Sequence, residues 1–351
     1  DNRYSINLAV SWLLQAQLVN GDNGYAHSYS LLNGWAKSYP ETTGYIIPTM
    51  LAVARFLGDE RYSESAMKAG EWLLGIQQDD GSFTDMDGNK QVFDTGQILG
   101  GLLANYSYSR DDRFFDAAIK AGNFLVAGQD DDGKWTKFSY NGICHTYYSK
   151  VASNLSRLYA ASDDKKYYRS AVKNIEWVLK QQHENGYFGR MSFTNGQTPY
   201  LHTIIYVLEG LMDHYAVTSE NDTYLAVKKS VNALLTVTLG SGLPIAYSQY
   251  DEQWRHKGNE SCLTGLAQWA GLLLNLYKME NSEYYYSAAE KTIDYLKSKQ
   301  IQNGRVNLKG AIPGSAPIWG SYFKFSFNNW TVKYFIDALL SLEKVLLNGK
   351  G

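Results

Sequence analysis

Apolar positions recur along this chain in two alternating patterns. In the first, aromatic and small residues return at helical spacing to one face: Tyr4, Ala9, Trp12 and Leu13; Tyr62, Ala66, Ala69, Trp72, Leu73 and Ile76; Phe115, Ala118 and Ala121 to Leu125; Tyr168, Ala171, Ile175, Val178 and Leu179; Tyr224, Val227, Val231 and Leu234; Tyr285, Ala288, Ala289, Ile293 and Leu296. That period predicts amphipathic helices of roughly four to five turns. The second pattern is apolar nearly all round, as in buried helices, over 42–57, 95–109, 145–161, 200–216, 261–278 and 329–347.

Turns punctuate the alternation. Each amphipathic stretch runs into a Gln or Asn and a short Asp/Asn-Gly segment: Asn20-Gly21-Asp22-Asn23-Gly24, Gln77-Gln78-Asp79-Asp80-Gly81, Gln129-Asp130-Asp131-Asp132-Gly133, Gln181-Gln182-His183-Glu184-Asn185-Gly186 and Gln300-Ile301-Gln302-Asn303-Gly304, with a degenerate copy at Leu239-Gly240-Ser241-Gly242. The result is a repeat of about 50–60 residues. Short connectors such as Gly58-Asp59-Glu60-Arg61 then make successive helices antiparallel neighbours. Six amphipathic and six buried helices predict an all-α (α/α)6 toroid, a six-hairpin barrel, as a single domain over 1–351. Strands are expected only as short rim hairpins within 187–198, 240–256 and 305–327. All inner helices then run parallel, so their N-termini, with free N–H groups and positive dipole ends, open onto one face. The long loops enter at that face, where function concentrates.

Composition narrows the classes. Net charge is −2 with no basic run, which argues against a nucleic-acid partner. No apolar stretch is long enough to span a bilayer. The chain begins at Asp1 rather than Met. A signal peptide removed on secretion and a cytoplasmic location both stay open. Two cysteines, Cys144 and Cys262, do not make a disulfide framework. With His145 they contain most of a zinc set, but they start inner helices three and five, which are not neighbours. Neither metal nor cofactor is expected. The 28 Tyr and 9 Trp are an unusual number; much of that is packing, but aromatics with a polar tip also suit a groove that stacks sugar rings.

The inner helices begin with Glu41-Thr42-Thr43-Gly44-Tyr45, Phe93-Asp94-Thr95-Gly96-Gln97, Cys144-His145-Thr146-Tyr147-Tyr148, Pro199-Tyr200-Leu201-His202, Glu260-Ser261-Cys262-Leu263-Thr264-Gly265 and Asn328-Asn329-Trp330-Thr331-Val332-Lys333. Taken singly, Glu41, Asp94 and Glu260 read equally as helix caps. Capping does not require histidines, paired tyrosines and a lysine at the same ring of helix starts. Glu41, Asp94, His145, Tyr147, His202 and Glu260 are therefore the candidate catalytic groups. Candidate substrate contacts are Trp35, Tyr45, Gln97, Tyr148, Tyr200, Trp254, Gln268, Trp319, Trp330 and Lys333. Of the remaining histidines, His27 and His256 are expected as rim contacts, and His183 and His214 at outer surfaces or loop ends without a role.

The Gln-x-Asp-Gly-x-Phe/Trp ends of the outer helices resemble the repeats of the squalene-cyclase and prenyltransferase superfamily of α/α toroids. The Asp-x-Asp-Asp acid motif of the cyclases is missing, as is a prenyltransferase zinc set. Thr264-Gly265-Leu266-Ala267-Gln268, Leu273-Leu274-Asn275-Leu276-Tyr277 and the Tyr284–Leu296 helix resemble the toroid segment of glucuronyl C5-epimerases. They also resemble toroid proteins of bacterial polysaccharide gene clusters, as do the stretches Pro313–Tyr322 and Asn328–Ala338. A further echo is the lanthionine cyclase family, which places Cys and His zinc ligands on such a toroid.

These features point to an enzyme acting on a poly- or oligosaccharide in the toroid mouth. Cleavage of a glycosidic bond needs an acid and a carboxylate across the linkage, for which Glu41, Asp94 and Glu260 are candidates. A uronate-directed lyase or C5-epimerase needs instead a base, an acid and a cation for the sugar carboxylate, for which His145, Tyr147, His202 and Lys333 would serve. A non-catalytic glycan-binding toroid and a zinc-dependent cyclase-like enzyme are the remaining alternatives. Oligomeric state is not legible.

Overall fold

The computed structural model describes residues 1–240 and 246–348. The outer helices are α1 (Asn2–Leu18), α3 (Arg61–Ile76), α5 (Asp112–Ala127), α7 (Lys165–Leu179), α9 (Asn221–Gly240) and α11 (Glu283–Lys299). The inner ones are α2 (Pro40–Leu57), α4 (Val92–Ser109), α6 (Ser149–Ser162), α8 (Leu201–Thr218), α10 (Leu263–Glu280) and α12 (Asn329–Asn348). Each inner helix packs on the next around the ring, and α12 returns to α2. This is the α/α toroid the periodicity predicts. The third inner helix starts later than expected, because Thr146–Tyr148 form a separate 3-10 turn ahead of α6.

The repeated Gln has a structural reason. Its side-chain amide donates to a carbonyl in its own turn and to one on the next outer helix. Gln77 reaches Gly81 O (3.1 Å) and Ala117 O (2.9 Å), and Gln129 reaches Gly133 O (2.8 Å) and Ser170 O (3.0 Å). Gln17, Gln182 and Gln300 do the same. Gln300 closes the ring by reaching Ser5 O of the first helix at 2.9 Å. Its own turn partner is Gly310 O, so the last repeat is completed by Gly310 rather than Gly304. The degenerate copy at 239–242 runs into 241–245, outside the described residues.

The inner ring is tight because small residues sit where helices cross. A Cβ on Gly44 would stand 2.6 Å from Ile98 Cα, and one on Gly101 would stand 2.2 Å from Gly44 O. Such an approach between α2 and α4 is open only to glycine.

Strands are few, as expected, and apart from one local hairpin their pairing joins distant segments. β1 (Ser28–Ser30) pairs with β2 (Gly34–Trp35) and with β5 (Ser326–Asn328), while β3 (Ser261–Cys262) pairs with β4 (Ser315–Ala316). Ser28 lies opposite Asn328, so the sheet ties the start of the chain to its end. The segment 187–198 forms no hairpin; Phe188 makes only an isolated bridge to Gln182. In 240–256 the described part has an isolated Tyr250–His256 bridge, and 241–245 lies outside the described residues. No helix among the described residues is long and apolar enough to cross a membrane.

Candidate active site

The mouth is built from the starts of α2 and α4. Pro40 fixes the first position of α2, and Tyr39 before it is extended (φ −119°, ψ 121°), as a residue preceding proline prefers. Tyr39 occupies the cap position of α2 and Gln91 that of α4, and neither helix has a side-chain cap. Glu41 and Asp94 are therefore not caps. Tyr39 instead donates its hydroxyl to Asp94 Oδ2 of the neighbouring helix at 3.1 Å. The Glu41 carboxyl lies close to the same hydroxyl.

The two acids do not occupy matching slots of the repeat. Thr43 Oγ1 accepts from the Tyr25 N–H (2.9 Å) and Thr95 Oγ1 from the Phe83 N–H (3.0 Å), so these threonines are the equivalent positions. Glu41 then matches Phe93, and Asp94 matches Thr42. One residue turns a side chain by about 100° around a helix. Both still reach the same space because they approach it from adjacent helices. Gly96 serves packing: a Cβ there would lie 2.8 Å from the Val151 side chain.

Glu41 and Asp94 open into a cavity of about 350 Å³, walled by Tyr147, His202, Tyr206, Tyr322, Phe193 and Trp330 among others. Burial dominates its electrostatics. Glu41 is held well above the usual carboxylate range by desolvation and then by the nearby Asp94 charge. Asp94 is pushed up to about 7 by burial, with the Tyr39 hydrogen bond opposing the shift. His27 and His202 are each lowered to about 4 by burial and stand neutral at ordinary pH. A protonated Glu41 can donate to the Tyr39 oxygen while Tyr39 donates to an ionised Asp94, which satisfies all three groups.

Of the residues expected at the mouth, Glu41, Asp94, Tyr147, His202, Tyr45 and Trp330 line the cavity. The others lie elsewhere. The Glu260 carboxylate is bound to the Ser321 backbone N–H (2.9 and 3.0 Å) and hydroxyl in a surface loop. His145 is stacked behind Tyr147 at 4.4 Å, with Nε2 against Tyr140 O (2.9 Å). Tyr148 is buried and accepts from the Tyr140 N–H, and Tyr200 packs on Tyr322 and donates to Ser321 Oγ.

The tryptophans do not form a shared platform. Trp35 packs on Trp12 and Tyr29, Trp254 is buried against Tyr187 and donates to Asn185 O, and Trp319 is 63 % exposed away from the cavity. Trp330 is the member of the set that lines the cavity. His27 also lines it, whereas His256 stacks on Tyr247. His214 is fully buried between Ser156 and Glu220 rather than at an outer surface.

Gln97, Gln268 and Lys333 belong to a second cavity of about 370 Å³ deeper in the barrel, with Lys150, Glu209 and Asp213. Tyr45 lines both cavities, and its ring stands 5.9 Å from Tyr334, which is 6.2 Å from Tyr206. These three tyrosines form the floor between the chambers. Lys333 sits below it, 3.9 Å from the Tyr334 ring and 2.7 Å from Asp337 Oδ2. Cys144 and Cys262 are unbridged, and among the described residues no group of three or more His, Cys, Asp or Glu could hold a metal ion.

Several wall residues were not among the expected site set. Tyr39 was visible as the residue before a helix-starting proline, but its reach to the next helix was not. Tyr206 lies one turn from His202 on the same face of α8, a spacing that could have found it. Tyr140, Phe193, Thr194, Gln197, Tyr322 and Phe323 come from loops, where no periodicity marks them.

No family model matches the sequence. Among solved structures, the chain is similar to an unsaturated glucuronyl hydrolase specific for heparin, with TM-score 0.79, 14 % identity and coverage of 99 % of this chain and 98 % of that one. It is similar to cellobiose 2-epimerase from Bacillus thermoamylovorans B4167, with TM-score 0.76, 15 % identity and coverage of 96 % and 97 %. These likenesses show the α/α toroid fold. In sequence, the chain is 26 % identical over 211 residues to the squalene–hopene cyclase of Zymomonas mobilis subsp. mobilis, covering 52 % of this chain and 31 % of that protein. The chain thus spans a third or less of the curated relatives it matches.

Proposed function

We propose that the protein is a carbohydrate-active enzyme that cleaves a glycosidic bond in an oligo- or polysaccharide, with Glu41 as general acid and Asp94 as general base or nucleophile. One observation carries this reading: two neighbouring desolvated carboxyl groups of raised affinity for protons, one of them bound by the Tyr39 hydroxyl, open into one aromatic-walled cavity. Desolvation and the Asp94 charge keep Glu41 protonated, as an acid that protonates a leaving oxygen must be. Tyr39 donates to Asp94 and opposes the upward shift that burial imposes on it. Trp330, Phe93 and Phe193 offer ring faces for a sugar.

The charge lining the cavity favours a neutral sugar. Among the described residues, no Lys or Arg lines it, and two carboxyl groups do. A uronate would bring a further negative charge with nothing to neutralise it. Lys333, the expected counter-ion, is paired with Asp337 beneath the tyrosine floor. This disfavours the uronate lyase and C5-epimerase readings. The solved structures of this fold include both a hydrolase and a cellobiose epimerase. Epimerisation of a neutral sugar is the second reading, favoured by the neutral His202 on the cavity wall.

One assay separates them. Neutral and uronate oligosaccharides are incubated in heavy water, reading new reducing ends and deuterium on ring carbons. Cleavage predicts new reducing ends from a neutral substrate, lost in Glu41→Gln and kept in Glu260→Gln. Deuterium in a sugar of unchanged length would establish epimerisation instead. Turnover confined to uronates would overturn the neutral-substrate assignment.

A further inference from the structure

His202 and His27 both line the upper cavity, but their surroundings constrain them differently. The His27 Nδ1 partner is the Ser28 hydroxyl at 3.0 Å, a group that donates or accepts equally well. The His202 Nδ1 partner is Gln268 Oε1 at 2.7 Å, and the Gln268 amide is not free to turn. Its Nε2 is 3.0 Å from Glu209 Oε2. The Glu209 carboxyl lies 3.6 Å from the Lys150 ammonium, which also pairs with Asp213 at 3.1 Å. Burial pushes the Glu209 carboxyl upward while the Lys150 and Lys333 charges oppose the shift; as a carboxylate it only accepts hydrogen bonds, so the amide must present its N–H₂ to Glu209. Its carbonyl oxygen is then left for His202. A carbonyl only accepts, so His202 Nδ1 must carry the proton, and Nε2 must be bare.

We infer that Glu209 and Gln268 are positioning residues that fix His202 as its Nδ1–H tautomer, so that its Nε2 lone pair faces the upper cavity as an acceptor for a substrate hydroxyl or proton. Nε2 has no protein partner among the described residues. The Tyr206 ring stands 4.2 Å and the Tyr322 ring 5.7 Å from the imidazole, which hold it in place from the side. The relay crosses the floor of the barrel: its origin, Glu209, lies in the lower chamber, and its end, His202, lies in the upper one. The assignment of a sugar hydroxyl as the group received rests on the carbohydrate reading above. The tautomer itself does not.

The test is a ring-nitrogen NMR spectrum of the 15N-labelled full chain without ligand. The six histidines allow the His202 signals to be identified by their disappearance in His202→Asn. The wild type should show a protonated, pyrrole-type Nδ1 and a bare, pyridine-type Nε2. Gln268→Leu should reverse the two nitrogens, because no acceptor then holds the Nδ1 proton. Glu209→Gln, a near-isosteric change, should give a mixture of both forms, since two amides can turn together. A purely structural role for Gln268 would alter stability and leave the tautomer unchanged. A wild-type spectrum with Nε2–H, or an unchanged spectrum in both variants, would overturn the relay. If the tautomer is as stated and no sugar is turned over, the relay stands and the proposed activity falls. On a turned-over sugar, Gln268→Leu should lower kcat/KM by about tenfold or more while Glu41 and Asp94 remain in place; unchanged kcat/KM would remove the acceptor role.

Discussion

Replacing Asp94 by Asn should stabilise the fold at alkaline pH while removing activity, and the size of the effect follows from its burial. The side chain is 4 % exposed and its carboxyl is pushed up to about 7, against about 3.9 in an unfolded chain. A raised acid binds its proton more tightly in the native state. Native stability is therefore unaffected below the unfolded value, falls as pH rises between about 4 and 7, and levels off above. Integrating the two affinities gives a penalty on the order of 1–2 kcal/mol at pH 5 and about 4 kcal/mol at pH 8. Asn has nearly the same shape, accepts the Tyr39 hydrogen bond and does not ionise. Urea unfolding of wild type and Asp94→Asn at both pH values should show the variant gaining about 2–3 kcal/mol relative to wild type between pH 5 and pH 8. Turnover should fall by several orders of magnitude at both, as expected when an essential acid–base group is lost. A variant less stable by about 1 kcal/mol at both pH values, with activity retained, would show the carboxylate to be a local structural acceptor instead.

Tyr39→Phe removes the donor that opposes the upward shift of Asp94, so the acidic limb of the pH–kcat/KM profile should move to higher pH; an unmoved limb would show that Tyr39 does not tune the base. Gly44→Ala should cost about 1–3 kcal/mol in chemical denaturation, because the added Cβ meets Ile98 Cα at 2.6 Å. Gly75→Ala is its control: nothing lies within 4 Å, and a helical Ala there should be neutral or stabilising by up to about 1 kcal/mol. Equal losses in the two would contradict close packing of α2 on α4 as the reason for Gly44.

The sequence alone determined the helices and their order in the ring. Burial periodicity is a local property, and the Gln–turn repeat reports a contact made between successive units, so both can be read along the chain. The parallel inner helices, and hence the face carrying the mouth, followed from counting antiparallel steps. For the same reason Glu41, Asp94, Tyr147, His202, Tyr45 and Trp330 were reachable: each lies within about two turns of an inner-helix start. What tertiary structure decided was direction and depth. A shared helix start does not say which way a side chain turns, and the one-residue offset between Glu41 and Asp94 shows how much that matters. Lys333 and Gln268 stand no further from their helix starts than Tyr45 and Tyr206, but they turn into the lower chamber, beneath a floor of tyrosines contributed by three different helices. Glu260 and the expected tryptophan platform were diverted by loop partners, Ser321 for the first and Asn185 and Tyr187 for Trp254. Loop contacts such as Ser28 against Asn328 join residues from opposite ends of the chain, and no periodic signal connects them. The Tyr39 hydroxyl belongs to the same class: its hydrogen bond to Asp94 exists only once α2 and α4 are brought into contact.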